Sequence, residues 1–123
     1  MDVVIELLRR VIVFGGKNMT LEMFLNQYSL AQAFVDLVIK RQKAGQAFHE
    51  SRGDTWKDWP TDKFVLETAN EALDFSVWLW KLCENDPRFS RLAPAVLEIC
   101  SEFIMTCKCS GYDEVLDHTS EYS

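Results

Sequence analysis

Apolar residues recur along this chain mainly at three- and four-residue steps, the spacing of a helix face, and alternating strand-like runs are scarce. Residues 2–14, DVVIELLRRVIVF, run to Gly15-Gly16. Ile5, Leu8 and Ile12 fit a helix face there, although Val11 to Phe14 also suits a short strand, and helix is the expected state. Thr20 is placed to cap a second helix, whose apolar positions Leu21, Phe24, Leu25, Tyr28, Ala31, Val35, Val38 and Ile39 repeat at helical steps. Ser29 to Gln32 has capping-box spacing, so a break or kink is expected there. Asp36 and Lys40 are spaced as an i,i+4 ion pair, and Lys40, Arg41 and Lys43 read as cations near the helix's C-terminal end. Residues 51–60, SRGDTWKDWP, form the main loop, after which Pro60 and Thr61 open a third helix reaching about Cys83 or Glu84. Asp86-Pro87 is a restart signal, a capping carboxylate followed by proline at the first helical position, and Pro94 offers another such start. Val96, Ile99, Cys100, Phe103 and Cys107 make the apolar face of the last helix, which Gly111 ends. Helices joined by short turns predict an all-α fold. The expected architecture is one antiparallel helical bundle of four to five helices over residues 1–111, with a flexible acidic tail over 112–123.

Length and composition agree with one globular domain: 123 residues and 14.2 kDa, 48% hydrophobic and 26% charged. The longest apolar stretch is far short of the ~20 residues a membrane span needs. Because no basic region precedes the first apolar run, no secretory signal is expected and the chain reads as cytoplasmic. Net charge is −6, with 13 basic against 19 acidic side chains, which argues against nucleic-acid binding through clustered cations. Asp113, Glu114, Asp117 and Glu121 follow Gly111 without a Lys or Arg among them, so part of the acidity belongs to the tail. The cysteines, Cys83, Cys100, Cys107 and Cys109, read as reduced thiols, with Cys100 and Cys107 on one helix face as small apolar residues. Cys107-x-Cys109 with His118 matches no common zinc spacing. Arg52-Gly53-Asp54 spells an integrin-type tripeptide, but nothing else suggests secretion.

The third helix carries the pattern with most chemical content. At about 100° per residue, Glu67, Glu71, Asp74, Trp78 and Lys81 fall along one line, with Asn70 at its edge. Most of the remaining circumference is apolar, which is the pattern of a helix central in its bundle. The like-charge steps Glu67 to Glu71 and Glu71 to Asp74 each cost about 0.2–0.5 kcal/mol on an exposed helix. A polar solvent-facing stripe is the simplest reading. If the stripe faces another acid-bearing helix instead, Glu67, Glu71 and Asp74 with Glu98 and Glu102 (and Glu50 at the end of the preceding helix) offer oxygen ligands for Mg²⁺.

Glu71-Ala-Leu-Asp74 has the E-x-x-D spacing of the all-α nucleoside triphosphate pyrophosphatases, the MazG-like family, and Gly53 to Asp58, GDTWKD, is similar to loops in some phage members. The resemblance covers residues 43–83. It implies a helical bundle, often dimeric, that hydrolyses nucleotides to monophosphate and pyrophosphate with Mg²⁺. The family's second motif, E-x-x-E on the preceding helix, is absent from this chain, and with it half of the metal ligands.

No complete catalytic set emerges elsewhere. His118 falls in the tail, His49 stands beside Glu50 at a helix end, and Gly15-Gly16 lacks the Lys-Ser/Thr of a phosphate loop. Trp56 and Trp59, in a polar loop with Asp54 and Asp58, are candidate anchors for a protein partner or a cap on the bundle's open end. The expected function is therefore a small protein-binding module of inhibitor, immunity or anti-defence type, without a cofactor. Its contact residues would be Trp56, Trp59, Asp54, Asp58, Glu67, Glu71 and Asp74, set against a basic surface of another protein. No membrane or nucleic-acid partner is expected, and a homodimer is left open. The alternative is the Mg²⁺-dependent pyrophosphatase or a degenerate relative, with Glu67, Glu71, Asp74, Glu98 and Glu102 on the metal.

Overall fold

The computed structural model describes residues 19–53 and 56–120; of these, 84% are helical and none is in a strand. The expectation for residues 2–14 and the position of Asp54 lie outside the described residues. Contacts divide the chain into two compact units, Met1–Thr55 and Trp56–Ser123.

In the first unit, α1 spans Leu21–Leu25 and α2 spans Gln32–Ser51, and the two pack on each other with Leu25 buried. Thr20 caps α1 as its sequence suggests: its Oγ1 accepts from the Met23 amide at 3.1 Å. The break falls between Asn26 and Ala31, and α2 starts from Ala31 without a side-chain cap, so Ser29 does not act as the capping residue. Because α2 runs on to Ser51, Lys40, Arg41 and Lys43 sit in mid-helix, and His49 is the basic residue of the last turn. Asp36 accepts from Gln32 Nε2 at 2.9 Å, and a second ladder joins Gln42 to Gln46 and Gln46 to Glu50, each step 2.9 Å.

In the second unit, a short 3₁₀ turn (Trp56–Asp58) leads into α3 (Thr61–Asn85), a second 3₁₀ segment (Pro87–Leu92), α4 (Ala93–Cys109), α5 (Asp113–Leu116) and a final 3₁₀ turn (Asp117–Ser120). Asp86 restarts the chain after α3 by accepting from the Arg88 amide, and Pro94 stands in the first turn of α4. Gly111 takes φ 90° and lets the Tyr112 amide reach back to the Cys107 carbonyl at 3.0 Å, closing α4 with a left-handed residue that disfavours a Cβ. α3 packs along α4, on the 3₁₀ segment between them, and on α5 with its 3₁₀ turn. Ala69, Leu79 and Cys107 are the buried side chains of this unit. No helix among the described residues is long and apolar enough to cross a membrane.

Two expectations need correction. Residues 112–120 are not a free tail: Asp113–Leu116 is helical, and α5 and its 3₁₀ turn rest on α3, with Val115, Leu116 and Thr119 partly covered. Nor is α3 enclosed on all sides within its unit. The line Val65, Ala69, Ala72, Ser76, Leu79 and Cys83 is buried or half-buried along its length, with Leu66 and Asn70 half-buried beside it, while Leu73, Phe75, Val77, Trp78, Trp80 and Leu82 are exposed. The second unit has one other long helix, α4, and one helix covers one line of another.

Candidate functional site: the outer line of α3

The face of α3 that packs is chosen by its smallest side chains. Ala69 is fully buried and Ala72 half-buried on it, and Leu79 is buried one heptad beyond Ala72. Fixing that face turns Glu67, Glu71 and Asp74 outward, and all three are exposed. Among the described residues no Lys or Arg pairs with any of them. Trp78 continues the same line and is 72% exposed, the highest fraction among the large hydrophobic side chains of the described residues. Lys81, at its end, turns to Glu84, with Nζ 2.9 Å from Oε2, and lies over the Trp80 ring at 4.6 Å.

The same logic separates the acids of α3 from those of α4. The buried and half-buried positions of α4 are Ala93, Val96, Cys100, Phe103, Ile104 and Cys107, which leaves Glu98 and Glu102 exposed on its opposite side. The two apolar lines meet and the two carboxylate lines point away. Glu67, Glu71, Asp74, Glu98 and Glu102 therefore do not converge, and Glu50 belongs to the other unit, where it accepts from Gln46. Among the described residues no three His, Cys, Asp or Glu side chains group so as to hold a metal ion.

The two loop tryptophans take different positions. Trp59 is half-buried, its ring 5.2 Å from that of Phe64, and the Lys63 ammonium sits 3.9 Å above it. This stack ties the loop to the first turns of α3, so Trp59 serves the start of the helix. Trp56 is 37% exposed in the 3₁₀ turn beside Lys57 and Asp58, both exposed. The chemistry on offer is thus a contact surface, with one aromatic ring at the loop, three carboxylates along a rigid helix, and a second ring at Trp78.

The cysteines are thiols: Cys107 is buried, Cys83 and Cys100 are half-buried and Cys109 is exposed. Trp78 is exposed along with the charged line it shares. A tryptophan on the charged line of a helix was the available signal. Compared with known proteins, the chain matches no family model, no curated protein and no solved structure.

Proposed function

We propose that this chain is a small acidic protein-binding module of the reducing cytoplasm, acting as an inhibitor, immunity or anti-defence protein does, by covering a basic surface of another protein. The observation that carries this reading is the outward line Glu67, Glu71 and Asp74, without a Lys or Arg partner among the described residues. Three carboxylates on one rigid helix hold their spacing without ordering cost, and a cationic target would relieve their mutual repulsion. Trp56 and Asp58 extend the surface from the loop end. The free thiols suit a reducing compartment.

The test is capture by the tagged full-length chain from its native cell extract, run beside the double variant Glu67→Lys/Glu71→Lys and beside Trp56→Ala. A protein retained by the wild type, released as salt rises and lost with the charge reversal supports the reading. An identical set of retained proteins for wild type and charge reversal overturns it.

A further inference from the structure

The covered line of α3 advances by alternating four- and three-residue steps, from Val65 through Ala69, Ala72, Ser76 and Leu79 to Cys83. A second line advances by the same steps and is exposed at every position: Phe64, Thr68, Glu71, Phe75, Trp78 and Leu82. That is the heptad seam of a helix pair, with Phe75 and Leu82 at a positions and Glu71 and Trp78 at d positions. Asp74 and Lys81 then both occupy g positions, one heptad apart and opposite in charge.

We propose that the C-terminal half of α3 packs antiparallel against α3 of a second copy of this chain. In this pairing Phe75 lies against the partner's Trp78, and Asp74 lies beside the partner's Lys81. Charge decides both the occupant and the direction. In an antiparallel pair the g positions of the two helices flank the same side of the seam. A two-fold axis midway between Ser76 and Val77 therefore makes the Asp74–Lys81 contact twice, and the surface is complementary to itself. In a parallel pair Asp74 would face the partner's Leu79, which is 7% exposed in its own unit. Lys81 is available for the exchange, because its present bond to Glu84 is an exposed i,i+3 contact of little strength.

The area is that of a small interface. Phe75, Trp78 and Leu82 together expose roughly 300 Å² of apolar surface, taking about 150–250 Å² for a whole aromatic side chain. The aliphatic stems of Glu71 and Lys81 add to this face, which stays below the ~800 Å² that each partner gives to a standard interface and so suits a weak dimer. The pairing leaves Glu67 and the Trp56 loop outside the crossing but takes up Glu71 and Asp74, so a dimer and a basic partner protein would compete for this face; the pairing itself needs no other protein and is tested without one.

Sedimentation equilibrium of the purified full-length chain tests it, at physiological salt and over about 1 to about 100 µM. The expected mass is twice 14.2 kDa at the upper end. Trp78→Glu is expected to weaken dimerisation at least about tenfold with an unchanged far-ultraviolet circular dichroism spectrum. D74K and K81D are each expected to weaken it, and the D74K/K81D double variant to restore it. A wild type that stays monomeric throughout overturns the proposal, as does a dimer indifferent to Trp78→Glu or a double variant no better than its singles. If Trp78→Glu loses helicity, the charge exchange decides alone, since both of its positions are exposed.

Discussion

Arg88 holds the carboxylate of Asp86 from two residues away, with Nη2 2.7 Å from Oδ2 and Nε 2.9 Å from Oδ1. The Arg88 amide donates to the same Oδ1 at 3.1 Å, so one carboxylate both caps the 3₁₀ segment and anchors a guanidinium. The Arg88 side chain, and after it the amide, holds the Asp86 carboxyl below the usual aspartate range; the guanidinium is raised in turn.

A titration follows from this pair. Because the folded value is the lower one, its contribution to stability is complete above the ordinary aspartate value, about 3.9, and is lost as pH falls through the folded value. The Asp86 carboxyl carbon, followed by NMR, is expected to titrate below its neighbours and to move back up in Arg88→Ala. A midpoint that ignores Arg88→Ala would contradict the assignment.

Two adjacent residues of α3 are expected to behave oppositely. Leu79 is 7% exposed, and Leu79→Ala is expected to cost about 2–5 kcal/mol by leaving a cavity. Trp78→Ala removes a larger side chain from the surface. At concentrations where the chain is monomeric it is expected to change stability by less than about 0.5 kcal/mol. Urea melts of the two variants make the comparison.

The C-terminal segment is expected to matter. Val115 and Leu116 are half-buried where α5 meets α3 and α4. Ending the chain at Tyr112 is expected to cost about 2 kcal/mol, on the order of half-burying two aliphatic side chains together with their ordering contacts. An unchanged melting temperature would show that α5 contributes nothing to the unit.

The pyrophosphatase alternative is separated by one scan. With carboxylates facing outward on both α3 and α4, millimolar Mg²⁺ with a nucleoside triphosphate is expected to leave the melting temperature unchanged and to release no pyrophosphate. A shift that vanishes in Glu71→Gln would instead favour the enzyme.

Local punctuation was legible in the sequence. Thr20, Asp86, Pro94 and Gly111 each act through a bond or dihedral fixed within a few residues, so their chemistry needs no knowledge of the fold. The start of α2 was not legible, because Ala31 carries no capping group. α5 was missed because Val115 and Leu116 are too few to show a period, although Asp113 and Glu114 in its first turn were a usable sign. The outward turn of Glu67, Glu71 and Asp74 was the simpler of two readings. Periodicity could not choose between them, since α3 carries more than one apolar line at heptad steps, and only packing decides which is covered. For the loop, two tryptophans three residues apart look equivalent in sequence; Lys63 and Phe64 distinguish them by closing on Trp59.

Ala69, at 0% exposure, has a bearing on how this chain can drift over generations. Its methyl group is fully enclosed, so any larger residue there must displace the elements packed on α3 before it can be accommodated. Glu67 and Thr68, two and one residues earlier on the same helix, face solvent, where a change of side chain meets no packed neighbour. One side of α3 thus tolerates little change in size, while on the other side size is unconstrained by packing within the unit.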